Sequence, residues 1–277
     1  METWLTRTLG IRHPVVQGAY HGFGTSKIAG PVSAAGGLGV VTAHCFPGPE
    51  ELRADLRAAH AVARAPVGVN FTVIPGKGLT CDGYVSRLEA ALDEGVKVVF
   101  TSAHDGAPLG ERVKRAGGLW IHKCATLRHA LSTARKGADA IVIVGVEGTG
   151  FKNPEQNTTL VNITALRRRT DTPLIAAGGI GDGRGLAAAL AMGACGVYLG
   201  TAFMATLECP IPQKWKQAIV DQDVTDPEYH RRVLAPSGRD RRVHSMASGV
   251  IDRVRAAEEL LRSLVEDAEE AIRGIRL

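Results

Sequence analysis

Eight short runs of apolar, mostly β-branched residues recur along the chain, and most of them are separated by segments with helical periodicity. Between the second and third runs, for example, Leu52, Leu56 and Ala59 stand on one helical face. Strands that alternate with helices form parallel sheets, and continuous apolar runs indicate that both sheet faces are covered. The pattern therefore predicts a (β/α)8 barrel over residues 1–208 rather than an open, doubly wound sheet. The runs span residues 13–17, 38–42, 66–71, 96–100, 118–122, 140–145, 173–179 and 195–200.

The pattern changes after Glu208, and residues 209–277 predict a helical C-terminal extension that packs on the barrel and is not an independent domain. A polar stretch leads into apolar residues that recur at steps of three and four, from Val250 to Ile272. This spacing predicts one long amphipathic helix. We expect its apolar face to cover the barrel wall; a contact between two copies of the chain, which would make a homodimer, is the alternative.

Charge and cysteine content narrow the class of protein. Lys and Arg number 33 against 28 Asp and Glu, and a net charge of +5 favours small anionic ligands without requiring nucleic acid. The five cysteines form no CxxC pair and no zinc-site spacing, so we expect a reducing, cytoplasmic setting and no metal. The uncharged stretch 186–207 contains three glycines and predicts a buried helix, turn and strand rather than a membrane span.

Glycine is concentrated where a barrel of this kind places its site. Sites in such barrels lie at the carboxyl ends of the strands, and the loops after the seventh and eighth strands commonly hold a phosphate. Gly178 and Gly179 follow the seventh run, and Gly200 and Thr201 follow the eighth. Glycine lets the backbone approach an anion, and the N–H groups at a helix start point towards it. The sequence therefore predicts a ligand that carries a phosphate.

Other catalytic devices are missing from the sequence. No GxxxxGK[ST] or early GxGxxG occurs, which argues against P-loop and Rossmann nucleotide sites. No HExxH or GxSxG occurs, which argues against zinc-protease and serine-hydrolase chemistry. The remaining candidates are polar residues near strand ends, and several of them at one rim indicate a site: Gln17, Asn70, Ser102, His104, Lys123 and Glu147.

Several segments carry a family resemblance. In one register over residues 10–210, the chain resembles the nitronate monooxygenase (2-nitropropane dioxygenase) family, through HPVVQGAYHGFGTSKIAGPVSAAGGLGVV, VGVNF, WIHKCATLRHA, GADAIVIVGVEGTG and PLIAAGGIGDGRGLAAALAMGACGVYLGTAFMAT. The resemblance implies FMN in a (β/α)8 barrel. By position, it implies that the backbone at Ala19 and Tyr20 supports the flavin, and that Asn70 and Lys123 lie near the ring and ribityl chain. It places the phosphate at Gly178, Gly179, Gly200 and Thr201. A cation such as Lys123 can stabilise the anionic reduced ring.

One departure from the family concerns the catalytic base. Family members usually carry a histidine after the sixth strand, in a run like E-A-G-G-H, which takes a proton from the substrate carbon. Here the run is Glu147-Gly148-Thr149-Gly150-Phe151, and phenylalanine cannot accept a proton. His21 and His104, which follow the first and fourth runs, are the remaining candidate bases. A nitronate is already an anion and needs no base.

The resemblance therefore implies an FMN-dependent oxidoreductase that converts alkyl nitronates to a carbonyl compound and nitrite with O2. One alternative keeps the fold and changes the electron donor: an NAD(P)H-dependent reductase of quinones or enoyl thioesters. The basic run from Arg231 to Arg242 would then meet the phosphates of NAD(P)H or an acyl-CoA, although a solvated surface is the plainer interpretation. An alternative from another class, motivated by Phe151, is a flavin-binding partner protein with impaired catalysis.

Overall fold

The apolar runs form eight parallel strands in the computed structural model, which describes residues 1–20, 22–149, 155–234 and 245–275. Seven neighbouring pairs follow the order β1-β8-β7-β6-β5-β4-β3-β2. The barrel is nearly closed between β1 and β2, where the N–H of Gln17 donates to the carbonyl of Leu38 at 2.8 Å. The (β/α)8 prediction is confirmed. The strands are β1 (Val15–Gln17), β2 (Gly39–Thr42), β3 (Val67–Val73), β4 (Val98–Ala103), β5 (Leu119–Cys124), β6 (Ala140–Val144), β7 (Leu174–Ala177) and β8 (Gly196–Leu199).

Helices connect successive strands and cover the outer face of the sheet. No helix in the described ranges is long and apolar enough to cross a membrane. Four short 3-10 segments lie at Ala43–Cys45, Pro75–Lys77, Asp82–Tyr84 and Met246–Val250. The helices are α1 (Trp4–Leu9), α2 (Ser26–Ala34), α3 (Pro49–Ala63), α4 (Val85–Asp93), α5 (Ala107–Arg115), α6 (Leu127–Arg135), α7 (Thr159–Arg167), α8 (Gly183–Ala191), α9 (Thr201–Met204), α10 (Gln213–Val220), α11 (Pro227–Leu234) and α12 (Ala257–Arg273).

The strands bury side chains on both faces, as parallel strands between helices must. On β5, Ile121 belongs to the apolar cluster inside the barrel, whereas Trp120 packs with residues of α5 in the outer layer. Because successive side chains alternate between faces, Lys123 projects to the inside with Ile121, and His122 projects to the outside with Trp120. This alternation decides which polar groups of β5 reach the interior of the barrel.

Helix α12 packs on the barrel wall, against α8 and α2. The contact with α8 is very close, since a Cβ at Gly183 would lie 2.5 Å from Cβ of Asp267 and 2.6 Å from the backbone N of Ala268. Leu261 and Leu264 of α12 are buried. Residues of the extension belong to the same buried apolar cluster as residues of the barrel strands. That the extension is not an independent domain stays a prediction.

The predicted start of the last helix, at Val250, is wrong. The helix begins at Ala257, and Val250 ends a 3-10 segment with 49% of its surface exposed. The intervening chain is extended because Arg255 pairs with the end of the barrel, with its carbonyl accepting from the N–H of Leu207 at 2.9 Å. The carboxylate of Glu208 then accepts from the N–H of Ala257 at 2.9 Å, which caps the helix there.

Candidate active site

A cavity of about 620 Å³ opens at the carboxyl ends of the strands and continues into a smaller cavity of about 80 Å³. The two share Ala19, Tyr20, Lys123 and Tyr198. Asn70 and His104 line the larger cavity, and the smaller one is lined by Gly178, Gly179, Gly200 and Thr201. The structure thus brings the described site candidates to one place. His21 and Phe151 lie outside the described residues, so their placement stays a prediction.

The smaller cavity is built from the loops after β6, β7 and β8. Gly178 and Gly179 have φ of 97° and 74°, the left-handed region that favours glycine. A Cβ at Gly178 would lie 2.9 Å from the backbone N of Gly148, so only glycine lets these two loops meet. The hydroxyl of Thr201 lies 2.8 Å from that of Ser245, which also lines this cavity. Backbone and hydroxyl groups of this kind suit a phosphate.

The start of α8 does not take part in this phosphate end, contrary to the sequence interpretation of that loop. The carboxylate of Asp182 accepts from the N–H of Gly185 at 2.8 Å and caps the helix. A carboxylate at that position repels a phosphate, and Gly183 is pressed against α12. The candidate phosphate groups therefore reduce to the backbone at Gly178–Gly179 and at Gly200–Thr201.

Hydrogen bonds of two tyrosines link the end of β1 to the end of β8. The hydroxyl oxygen of Tyr198 accepts from the N–H of Ala19 at 2.6 Å, and the hydroxyl of Tyr20 donates to the carbonyl of Gly200 at 2.8 Å. Burial raises the pKa of both phenols, so they remain neutral. These bonds hold the backbone at Ala19 and Gly200 in place where the two cavities join.

Asn70 supplies an unsatisfied polar atom at the larger cavity. Its side chain is fully buried, and its amide N–H donates to Oγ1 of Thr72 at 2.9 Å. Its Oδ1 is buried and has no partner among the described residues. Because buried polar atoms are almost always paired, this oxygen is available to a donor on a bound ligand. The N–H of a flavin ring is such a donor, so the residues present fit FMN.

Lys123 places a cation at the junction of the two cavities. Its Nζ lies 5.6 Å from the centre of the Tyr198 ring, and no ion pair to it is found in the part of the chain that the structure describes. Burial lowers the pKa of its ammonium group. A half-buried cation without a counter-ion is costly, and an anionic ligand would offset that cost.

Two other strand-end candidates serve the fold. Oε1 of Gln17 accepts from the N–H of Val40 at 2.9 Å, inside the barrel wall. The carboxylate of Glu147 accepts from the N–H of Thr159 at 3.0 Å and so caps α7. Both groups are held by backbone N–H groups, and neither residue is among those that line the two cavities. Ser102 donates to Thr72 at 3.3 Å and lines the cavity beside Asn70.

Three residues that line the cavities are not predicted from the sequence. Tyr198 is recoverable in principle, because strand alternation puts it on the inner face two residues before Gly200. His129 lines the larger cavity from the first turn of α6, and a histidine inside a helical pattern gives no sign of that. Ser245 comes from the extension, and no local pattern indicates that this segment returns to the site.

Comparisons with known proteins agree with this geometry. A family model described as nitronate monooxygenase matches residues 2–79 and 74–271. A (3aS,4S,5R,7aS)-5-hydroxy-7a-methyl-1-oxo-octahydro-1H-indene-4-carboxyl-CoA dehydrogenase of Mycobacterium tuberculosis is 35% identical over 218 residues, which is 78% of this chain and 59% of that protein. The nitronate monooxygenase of Pseudomonas aeruginosa is 33% identical over 261 residues, covering 79% of this chain and 74% of that one.

Among solved structures, FabK from Thermotoga maritima superposes with a TM-score of 0.84 at 27% identity, covering 99% of this chain and 98% of that one. The match runs almost end to end, so it includes the extension as well as the barrel. By contrast, the chain spans less than two thirds of the length of the M. tuberculosis relative.

Proposed function

The chain belongs to the nitronate monooxygenase family, and from that membership we propose that it is an FMN-dependent oxidoreductase that oxidises alkyl nitronates. Relatives in this family are oxidoreductases. The observation that carries the proposal is that one cavity is lined both by Lys123, which has no ion-pair partner among the described residues, and by Asn70, whose Oδ1 is unsatisfied there. A ligand with an acidic N–H and an anionic substrate beside it would satisfy both groups.

The residues that would hold FMN lie at both ends of the double cavity. The phosphate would bind the backbone at Gly178, Gly179 and Gly200 with the hydroxyl of Thr201. Oδ1 of Asn70 would accept from the ring, and Lys123 would lie beside it. When bound, FMN would supply the acceptor for one electron or a hydride equivalent from the nitronate, and O2 would complete the cleavage to a carbonyl compound and nitrite.

In this reaction the side chains of the protein bind and orient the substrate, and none of them has to remove a proton from the substrate carbon. Lys123 holds the negative charge of the nitronate close to the flavin site, which orients the substrate and stabilises charge as it moves. No proton has to leave the substrate carbon, since a nitronate has already lost it. The proposal is therefore compatible with Phe151 at the family's histidine position. His104 is exposed at the cavity mouth and would act as a base only towards a neutral nitroalkane.

Rapid mixing without oxygen tests the proposal. The purified protein, loaded with FMN, is mixed with an alkyl nitronate, with NADH or with NADPH, and flavin absorbance is followed. We expect the nitronate to bleach the flavin, and readmitted O2 to restore the colour while nitrite appears. Rapid bleaching by NADH or NADPH with none by the nitronate would refute the proposal.

A second candidate is an NAD(P)H-dependent reductase of an enoyl thioester. It is favoured by the cavity of about 620 Å³, which lies within the ~300–1,000 Å³ typical of pockets that enclose whole drug-sized ligands. The M. tuberculosis relative, named as a carboxyl-CoA dehydrogenase, acts on a thioester. In the same experiment, NADH or NADPH would bleach the flavin of such a reductase, and an enoyl thioester would reoxidise it. A flavin that no donor bleaches would favour the partner protein with impaired catalysis.

A further inference from the structure

Three side chains of types that can bind a metal ion lie together between β5 and α6, on the face of β5 opposite Lys123. His122 and Cys124 flank Lys123 on β5, and His129 faces them from the first turn of α6. One nitrogen or sulfur atom from each of the three lies within 4.8 Å of the others. The two imidazole rings meet edge to face, with centres 4.8 Å apart. Imidazole nitrogen and cysteine sulfur are both ligands that zinc takes in proteins.

The hydrogen bonds of His122 leave one of its nitrogens available. The residue is fully buried, and its Nδ1 lies 2.6 Å from Oγ1 of Thr101. That oxygen also accepts from the indole N–H of Trp120 at 2.7 Å, and its two lone pairs can accept both donors. Nε2 of His122 is buried with no partner among the described residues. In the tautomer with its proton on Nδ1, His122 donates to Thr101 and leaves the lone pair of Nε2 free, which is the arrangement of metal-binding histidines.

Charged groups of both signs surround the cluster. Asp105 adds negative charge near both histidines, whereas Lys136 adds positive charge near both and His104 lies near His129.

The cluster is accessible from the larger cavity. Cys124 and His129 both line it, together with Ala125 and Thr126 of the loop between them. An ion held by the three side chains would therefore keep a fourth position open to the cavity. Three protein ligands with one open position are the arrangement of catalytic zinc sites, whereas structural zinc sites are closed by four.

We propose that Nε2 of His122, Sγ of Cys124 and a ring nitrogen of His129 bind one Zn²⁺ at the edge of the cavity. Zinc bonds of about 2.0–2.3 Å in a tetrahedron put neighbouring ligand atoms about 3.3–3.8 Å apart. The ligand atoms now lie within 4.8 Å of one another, so zinc binding requires them to move closer together, and His129 is only half buried. The ion joins β5 to α6 directly behind Lys123. The spacing H-x-C-x4-H matches no common zinc motif, which is why the sequence predicts no metal.

Zinc binding by the full-length, flavin-loaded protein tests the proposal. After treatment with a chelator, the protein is titrated calorimetrically with Zn²⁺, and bound zinc is measured after gel filtration. We expect one Zn²⁺ per chain. Cys124→Ser and His129→Ala should each weaken binding by about 10–100-fold or more, because even second-shell changes cost that much. Matched controls Cys195→Ser and His60→Ala alter a cysteine and a histidine outside the cluster and should bind as the wild type does.

X-ray absorption at the zinc edge of the loaded wild type provides a readout that needs no variant. We expect one sulfur and at least two nitrogen neighbours. Absence of saturable Zn²⁺ binding by the wild type, or a ligand shell without sulfur, would overturn the proposal. Equal binding by the wild type and the Cys124→Ser/His129→Ala double variant would overturn it as well. If a variant fails to fold, the wild-type stoichiometry and ligand shell still decide the question.

Discussion

At the residue scale, the difference between a structural and a functional polar group is whether a backbone N–H reaches it. Gln17 and Asn70 are both fully buried near strand ends, but Asn70 lies on the inner face with Phe100, whereas Gln17 lies on the outer face with Leu199. The first accepts from the N–H of Val40, whereas Oδ1 of the second has no partner in the described chain. The sequence predicts both as candidates because residue type and position are alike. The face of the strand and the backbone partner separate them, and both depend on the exact strand register.

Replacing Lys123 tests the role of the cation. Lys123→Met keeps the length of the side chain and removes its charge, so flavin reduction by a nitronate should slow by about 10²-fold, the usual cost of removing one electrostatic contact to a transition state. The measurement is the anaerobic bleaching rate at saturating nitronate. Lys214→Met, at an exposed position on α10, is the matched control and should react at the wild-type rate. Unchanged bleaching by Lys123→Met would contradict this role.

Phe151 offers a gain-of-function test that rests on the sequence alone. The wild type should oxidise nitronates and leave neutral nitroalkanes nearly untouched, because it lacks the family's base. Phe151→His should raise the rate with a neutral nitroalkane by about 10²-fold or more, the usual contribution of a general base. Nitrite release from each substrate measures both rates. If the wild type already consumes neutral nitroalkanes rapidly, another group is the base, and His21 and His104 are the residues to replace next.

At the element scale, periodicity predicts which helices exist better than where they begin. The spacing of Ala257, Leu261, Leu264 and Ala268 predicts the buried face of α12, and all four are covered. The same spacing extends back to Val250, but tertiary pairing of Arg255 with the barrel end determines the conformation there. Periodicity predicts which face of a helix is apolar. It does not predict backbone hydrogen bonds between residues that are distant in sequence.

The contact between α8 and α12 can be tested through its glycine. Gly183→Ala would place a Cβ 2.5 Å from Cβ of Asp267 and 2.6 Å from backbone atoms of α12, so the two helices must separate. We expect a loss of about 1–3 kcal/mol of stability, as for other overpacked sites. Urea unfolding measures it. Gly274→Ala, whose Cβ would meet only ordinary contacts, is the control. A stability change no larger than that of the control would mean that the helices are not packed this closely.

At the scale of the whole molecule, the extension completes the site as well as the core. Ser245 and Ala247 line the smaller cavity, and the N–H of Met246 donates to the carbonyl of Glu147 at 2.9 Å. The carbonyl of Met246 accepts from the hydroxyl of Tyr229 at 2.8 Å, so α11 supports the same segment. The sequence predicts an extension that is not an independent domain, but not its contribution to the phosphate end, because that contribution depends on the path of the chain.

Because the extension and barrel share one core, the chain should unfold in a single transition. Differential scanning calorimetry should give one peak whose calorimetric and van't Hoff enthalpies agree. Saturating FMN should raise the midpoint of the whole transition, since a ligand that binds only the native state stabilises all of it. Two resolved peaks, or a shift confined to one of them, would mean that residues 209–277 fold separately.

The central claim is that the paired cavities bind FMN with its phosphate at the loops after β7 and β8. Titration of the flavin-free chain with FMN and with riboflavin, followed by flavin fluorescence, tests it most directly. Gly200→Ala is the informative variant, because Gly200 lines the smaller cavity and its Cβ would have no protein atom nearer than 4.0 Å, so the substitution should not disturb the fold. Gly76→Ala, also free of neighbours, is the control. We predict one FMN per chain, weaker binding of riboflavin, and an FMN affinity reduced about tenfold or more in Gly200→Ala only. A chain that takes up no FMN, or that binds riboflavin and FMN equally well, would contradict the account.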